Sequence, residues 1–133
     1  MKFSQSFRVS AADIDANNHV NNVAYVRWIQ DVAVAHWFSV THEKTREKYI
    51  WMLTRHEIDY KKQTFENELV TVTTWVGEAT RITWERFTEV KRGEDLLCKA
   101  RSIWCLIDRE TSKPTRITSE LKDLLYGKNN YTS

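Results

Sequence analysis

The sequence predicts an α+β domain in which an antiparallel sheet of about five strands wraps around one long central helix. Three observations carry this. Over residues 22–38, Val23, Ala24, Tyr25, Val26, Trp28, Ile29, Val32, Ala33, Val34, Ala35, Trp37 and Phe38 occupy almost every direction around a helical axis, interrupted mainly by Arg27, Gln30, Asp31 and His36. A helix that is apolar nearly all round must be buried, and its charges exclude a lipid span, so a curved sheet is needed to enclose it. Beyond residue 50 the chain reads as strands, and the short turns between them favour hairpins over crossovers, hence antiparallel pairing.

Residues 3–9 supply a first strand ahead of a polar loop, and Asn21 or Asn22 can cap the long helix by accepting from its first free N–H groups. The charged stretch 41–48 reads as a short, solvated helical turn or loop. Strands follow at 51–60, 69–78, 81–91 and 96–108, with turn signals at Glu66-Asn67, at 77–80 and at Arg92-Gly93-Glu94-Asp95. In the third of these, Ile82, Trp84 and Val90 alternate against Arg81, Thr83, Glu85, Glu89 and Lys91, a half-buried antiparallel pattern. Pro114 breaks the chain after the last strand, and residues 119–126 form a short closing helix. No repeat, low-complexity tract or internal linker divides the chain, so residues 1–133 read as a single domain.

Composition narrows the function. A formal charge of +2 is too small for a nucleic-acid footprint. Met1-Lys2-Phe3-Ser4 carries no apolar signal region and no run reaches the roughly 18 apolar residues of a membrane span, which predicts a cytoplasmic protein without membrane attachment. Cys98 and Cys105 stand an odd number of positions apart on one strand, facing opposite sides of the sheet, so they are expected to be unpaired, structural thiols. Asn130-Tyr131-Thr132 fits a glycosylation sequon, which a protein outside the secretory route does not use.

The chemistry concentrates in residues 12–25, Ala-Asp-Ile-Asp-Ala-Asn-Asn-His-Val-Asn-Asn-Val-Ala-Tyr. Carboxylates, amides and an imidazole sit in a loop that opens onto the apolar helix, whose unpaired N-terminal amides suit a developing oxyanion. Metal readings fail on spacing. Asp13-x-Asp15-x-Asn17 opens like a calcium loop, but its sixth position is Asn18 where Gly is needed and its twelfth is Ala24 where Glu is needed. His42-Glu43 and His56-Glu57 begin a zinc-protease pattern, yet Arg46 and Tyr60 stand where the second His belongs. No glycine-rich phosphate cradle is present. The expectation is no metal and no cofactor.

The pattern Asp-x-Asp-x-Asn-x-His-Val-Asn-Asn resembles the hot-dog-fold acyl thioesterases, both the bacterial 4-hydroxybenzoyl-CoA thioesterase type and the plant acyl-acyl-carrier-protein thioesterases. The resemblance implies catalytic roles for Asp15, Asn17 and His19, and an amide at or next to Asn22 or Val23 that polarises the thioester carbonyl. A second echo, Ile58-Asp59-Tyr60-Lys61-Lys62-Gln63-Thr64, is similar to the plant stretch in which two basic residues precede a catalytic Glu; here Gln63 takes that position, which moves weight onto Asp15, as general base or as nucleophile. The implied fold is the hot-dog fold, and the implied reaction is hydrolysis of acyl-CoA or acyl-carrier-protein thioesters by a homodimer or a dimer of dimers. Some of the six Trp are then expected to line an acyl cavity or a subunit contact. Coenzyme A and carrier proteins are both anionic, so cations are expected at the site mouth: Lys61 and Lys62 first, one toward each face of a strand, then Arg81, Arg86, Lys113 and Arg116. Tyr25, which aligns the loop, is grouped with the substrate-binding residues. A non-catalytic acyl-CoA-binding hot-dog module is the alternative. A hot-dog dehydratase would share the fold but carries a different His and Asp or Glu arrangement.

Overall fold

The computed structural model describes residues 1–127, so the sequon at Asn130 lies outside the described residues. In chain order the elements are β1 (Phe3–Arg8), a single 3-10 turn (Ala11–Asp13), α1 (Asn22–Val40), α2 (Glu43–Lys48), β2 (Tyr49–Tyr60), β3 (Leu69–Ala79), β4 (Thr83–Arg92), β5 (Asp95–Asp108), β6 (Lys113–Pro114) and α3 (Ser119–Tyr126). Asn21 is the cap of α1: its side chain accepts from the Val23 and Ala24 amides. The helix runs two residues beyond the expected end, to Val40, and residues 43–48 close into a helix of their own.

Every strand pairing is antiparallel, as expected, with order β1-β3-β4-β5-β2 and β6 on β5 beyond the start of β4. Two expectations need correction. Glu66-Asn67 is not a hairpin turn, because β2 pairs with β5 and not with β3. The connecting residues cross the sheet end and are tied down there by Val9, whose N–H donates to the Glu68 carbonyl and whose carbonyl accepts from the Asn67 N–H. Pro114 does not merely break the chain; it pairs with Ile107 in β6, an edge position where its missing N–H costs nothing.

Helix α1 buries Ala24, Tyr25, Trp28, Ile29, Val32, Ala33, His36 and Trp37 against the concave face of the sheet. The core divides into two clusters. One lies under the first half of α1 and includes Val9, Val20, Tyr25, Trp28, Ile29, Val70, Val72, Val90 and Leu97. The other lies under its end, with Trp37, Trp84, Leu106, Ile117, Leu121 and Leu125. Between them runs a polar row across four strands: Thr74 of β3 opposite Thr88 of β4, Arg86 of β4 opposite Ser102 of β5, and Ser102 opposite His56 of β2. Thr74, Arg86, Thr88 and Ser102 are all buried. Their hydroxyls are satisfied within the row, with Arg86 Nη1 donating to Thr74 Oγ1 at 3.0 Å and Ser102 Oγ lying 2.8 Å from His56 Nδ1. Both cysteines are buried and unpaired, and burial pushes the Cys98 thiol up to about 12, so it stays protonated.

Candidate active site

The loop before α1 closes on itself. Ile14 and Val20 form an isolated antiparallel bridge, the Asp15 N–H donates to the His19 carbonyl at 3.0 Å, and the Asn18 N–H donates to the Asp15 carbonyl at 3.1 Å. This tight return needs a left-handed residue, and Asn18, at φ 66°, supplies it; Asn tolerates that region better than most side chains. Asp15 Oδ1 then accepts the Asn17 N–H at 2.9 Å, while Oδ2 lies 3.8 Å from His19 Nδ1. The loop therefore brings Asp15 and His19 face to face, partly exposed, and leaves the Asn17 side chain in solvent.

The two carboxylates of the motif divide. Asp13 is buried, and both its oxygens accept from Arg27 Nη2, at 2.7 and 2.8 Å, while its carbonyl accepts the Asn21 N–H. Asp13 thus pins the loop to α1, and Asp15 Oδ2 accepts no hydrogen bond among the described residues. The helix amides divide as well. The Val23 N–H is taken by Asn21 Oδ1 at 2.7 Å, so it is not available to a substrate, whereas the Asn22 N–H donates to nothing among the described residues.

The second sequence echo lies against this loop through a residue that sequence reasoning passed over. Thr64 is fully buried; its carbonyl accepts the Val20 N–H at 2.7 Å and its hydroxyl meets the Tyr25 hydroxyl at 2.6 Å. Gln63 is thereby held beside the loop, exposed, with its carbonyl accepting from Arg92 Nη1. A small hydroxyl residue followed by turn residues was the available signal for Thr64. Tyr25 departs from expectation: it is 3% exposed, bonded to Thr64 and packed edge-on against Trp28 and Tyr60, so it is a core residue rather than a wall of an open site. Burial raises its phenol pKa, and the Thr64 hydrogen bond only partly opposes that.

The basic candidates separate by place. Strand β2 ends at Tyr60, so Lys61 and Lys62 do not point to opposite faces of a strand; both their N–H groups donate to the Leu97 carbonyl. They stay at the Asp15 end of the molecule, Lys62 paired with Asp95 at 3.0 Å and Lys61 in no ion pair among the described residues. Arg81, Lys113 and Arg116 are exposed at the other end: the Arg81 carbonyl accepts the Ile117 N–H and Lys113 lies in β6, so within one chain they are not brought to Asp15. Arg86 is no mouth cation at all, being 7% exposed beneath α1.

At that other end a cavity of about 220 Å³ opens, lined by Trp37, Trp51, Trp84, Trp104, Val76 and Arg86 among others. Gly77 anchors one of its walls through Trp84. The Gly77 carbonyl accepts from Trp84 Nε1 at 3.0 Å and from the Tyr126 hydroxyl at 2.8 Å, and a Cβ there would collide with Glu85 and Phe87.

Known proteins bear on this arrangement in two ways. The solved structures of a 1,4-dihydroxy-2-naphthoyl-CoA thioesterase from Synechocystis (TM-score 0.81, 14% identity, covering 94% of this chain and 96% of that one) and of a predicted thioesterase from Bacillus stearothermophilus (TM-score 0.85, 19% identity, 96% of each chain) share the architecture, and the fold is the hot-dog fold. In sequence, the chloroplastic palmitoyl-acyl carrier protein thioesterase of Gossypium hirsutum is 24% identical over 131 residues, covering 90% of this chain and 32% of that protein. A chloroplastic acyl-[acyl-carrier-protein] hydrolase of Cuphea viscosissima is 22% identical over 134 residues, covering 92% and 32%. The chain thus spans about a third of the length of these relatives. The model of the acyl-ACP thioesterase N-terminal domain matches residues 1–125, and the chain belongs to the acyl-ACP thioesterase family.

Proposed function

We infer that this chain, acting as one domain, hydrolyses acyl thioesters of coenzyme A or acyl carrier protein to free acid and thiol. One observation carries the reading: Asp15 presents an uncommitted carboxylate oxygen to His19 in the same closed loop whose next helix offers a free amide at Asn22. A thioester asks for little more. Its thiol leaving group has a pKa of about 8.5 if it behaves like a free thiol, so the thiolate departs without a strong acid. Asp15 takes a proton from water, the resulting hydroxide attacks the carbonyl carbon, and the tetrahedral oxyanion accepts from the Asn22 N–H at the positive end of α1; the C–S bond then breaks and Asp15 returns its proton to the thiolate. Attack by Asp15 itself would give a mixed anhydride that water opens. His19 and Asn17 orient the water or the thioester, and Gln63 stands beside them without a charge to offer. An oxyanion donor is typically worth about 3 kcal/mol of barrier.

The active unit in this reading is a homodimer or a dimer of dimers. Strand β2 is an edge of the sheet; its first half exposes Ile50 and Met52 with no charge among them, while Arg55, Glu57 and Asp59 are confined to its second half, and an uncovered edge is usually paired. Helix α1 carries Val23, Val34 and Phe38, each more than half exposed, along its outer side. The first core cluster and Tyr60 lie at the start of α1, whereas Tyr49, Trp51 and the cavity lie at its end, about 28 Å away for 19 residues. Antiparallel pairing of β2 with its own copy about a two-fold axis exchanges those ends. The Asp15 loop of one protomer would then meet the tryptophan cavity of its partner, along with the cations at that end, Arg116 among them.

Release of free thiol from a panel of acyl-CoA and acyl-carrier-protein thioesters tests the reading. Turnover that disappears in Asp15→Asn supports it; binding of acyl-CoA without turnover would turn the assignment to a non-catalytic acyl-CoA-binding module.

A further inference from the structure

The cavity at the end of α1 is built unlike a plain hydrocarbon pocket, because a buried cation, Arg86, and a buried indole N–H, Trp104, line it without an anionic partner among the described residues. Arg86 is bonded only through Nη1, to His36 Nδ1 and Thr74 Oγ1, each at 3.0 Å, and no carboxylate meets it among the described residues. Glu85, which also lines the cavity, is turned to Arg101 Nε and to the Glu78 N–H. His36 is fully buried, and burial together with the adjacent Arg86 charge pulls it down to about 4, so it is neutral at physiological pH. Since Arg86 can only donate, His36 Nδ1 accepts and the ring proton sits on Nε2, which is buried and has no hydrogen-bond partner among the described residues. Trp104, on the cavity wall, likewise has a buried Nε1 donor without a hydrogen-bond partner among the described residues.

A guanidinium held in a tryptophan-lined core without a counter-charge is costly to fold around, and an apolar side chain of similar volume would be the more stable choice. Burial lowers Arg86 only to about 10, so the charge persists at neutral pH. Donors with no acceptor on a cavity wall call for an acceptor brought by a ligand, and an uncompensated cation calls for an anionic one.

We propose that this cavity binds an apolar chain or ring ending in a carboxylate, with Arg86 and the Trp104 indole N–H as the carboxylate's donors and the tryptophans around its apolar body. His36 is a positioning residue that holds Arg86 through Nδ1. The carboxylate has two sources. It is either the distal end of an acyl group whose thioester lies at the partner's catalytic loop, which rests on the thioesterase reading, or the released acid bound again from solvent.

Tryptophan fluorescence of the full-length protein, titrated with octanoate and with 1-octanol, tests the site without turnover. Wild-type protein should bind octanoate about tenfold or more tightly than octanol, Arg86→Met should abolish that preference, and Arg86→Lys should keep part of it. Equal affinities, or tighter octanol, in the wild type overturn the proposal, and that comparison stands even if Arg86→Met fails to fold. The source is read from kinetics. A higher kcat/KM for the mono-CoA thioester of octanedioic acid than for octanoyl-CoA assigns the carboxylate to the acyl group, whereas competitive inhibition of octanoyl-CoA hydrolysis by octanoate assigns it to the product. Octanoate binding that depends on Arg86 in a protein that hydrolyses no thioester would refute the thioesterase reading and leave the site standing; hydrolysis without any carboxylate preference would do the reverse.

Discussion

The two ends of α1 solve the burial of polar groups in different ways. At its start, Asp13, Asp15, Asn18, His19 and Asn21 are tied together within one short loop, by hydrogen bonds between residues two to eight positions apart and by the Asp13 to Arg27 pair. Near its end, Arg86 and His36 meet across 50 positions of sequence, and the polar row they join is assembled from four strands and a helix. The first arrangement is local and leaves one carboxylate oxygen and one amide open to solvent. The second is non-local, and it turns one buried cation, Arg86, to a cavity. The Asp15 loop and a ligand-sized void are thus held on one helix but out of reach of each other within a chain, and only the proposed pairing of β2 with its own copy would bring them together.

The sharpest way to break this comparison is at the loop. Asp15→Asn keeps the Asx turn to Asn17 but removes the proposed base, and kcat/KM for thioester hydrolysis is expected to fall by about 10² to 10⁴ with the melting temperature little changed. A loss of less than about tenfold, roughly 1.4 kcal/mol, would put the chemistry elsewhere in the molecule.

The other end is tested by pH. His36 is held well below the ordinary imidazole value, so the unfolded chain takes up a proton near pH 6.5 while the folded one waits until about 4. The contribution is fully present above 6.5 and is lost as pH falls toward 4, on the order of 3 kcal/mol in all. His56, also lowered by burial, acts in the same direction. Denaturant unfolding of wild type and His36→Gln between pH 7 and 5 is the measurement. The variant should lose a substantial part of the slope, and an unchanged slope would mean that Arg86 and the burial around it do not govern this imidazole.

How much of this was legible follows the same division. The α1 start, the closing helix at Ser119–Tyr126 and the strand spans were readable because apolar periodicity and turn residues act locally. The Asp15 loop was readable because its partners are neighbours in sequence. Only the family resemblance set Asp15 apart from Asp13; residue type and spacing did not, since the structural difference depends on Arg27 one turn into the helix. Arg86 was misplaced for a different reason: charge was allowed to outweigh period. In β4 the inward positions run Trp84, Arg86, Thr88, Val90, so strict alternation already put Arg86 on the buried side. The strand order could not be read, because which edge β2 joins is decided by pairing with β5, 38 or more residues later.

A smaller effect separates capping from catalysis at the loop. Asn21 Oδ1 holds the Val23 and Ala24 amides, and Asn21→Ala is expected to cost about 1 kcal/mol of stability. It also frees the Val23 N–H next to the Asn22 amide. Thermal unfolding together with kcat distinguishes the two consequences: a stability loss with kcat intact keeps the oxyanion at Asn22, and a changed kcat would extend the donor set to Val23.

The smallest expected effect is at the carrier's approach. Lys62 is already paired with Asp95, whose carboxyl it holds below the ordinary range together with Arg92, whereas Lys61 has no ion-pair partner among the described residues and remains at the Asp15 end. An anionic carrier should therefore meet Lys61 as an uncommitted cation and Lys62 as one that must first leave Asp95. Lys61→Glu is expected to raise KM for acyl-CoA a few-fold, with kcat nearly intact, because the loss is of uniform binding. Exposed charges are screened within about 10 Å at 0.1 M salt, so the rise should grow as ionic strength falls and fade as it increases. Lys62→Glu should show less of the same, offset by repulsion from Asp95. An unchanged KM at low salt in both variants would move the carrier to Arg116 and Lys113, which only the partner protomer could bring to this loop, and it would make carrier binding, like the cavity, a property of the far end of the helix.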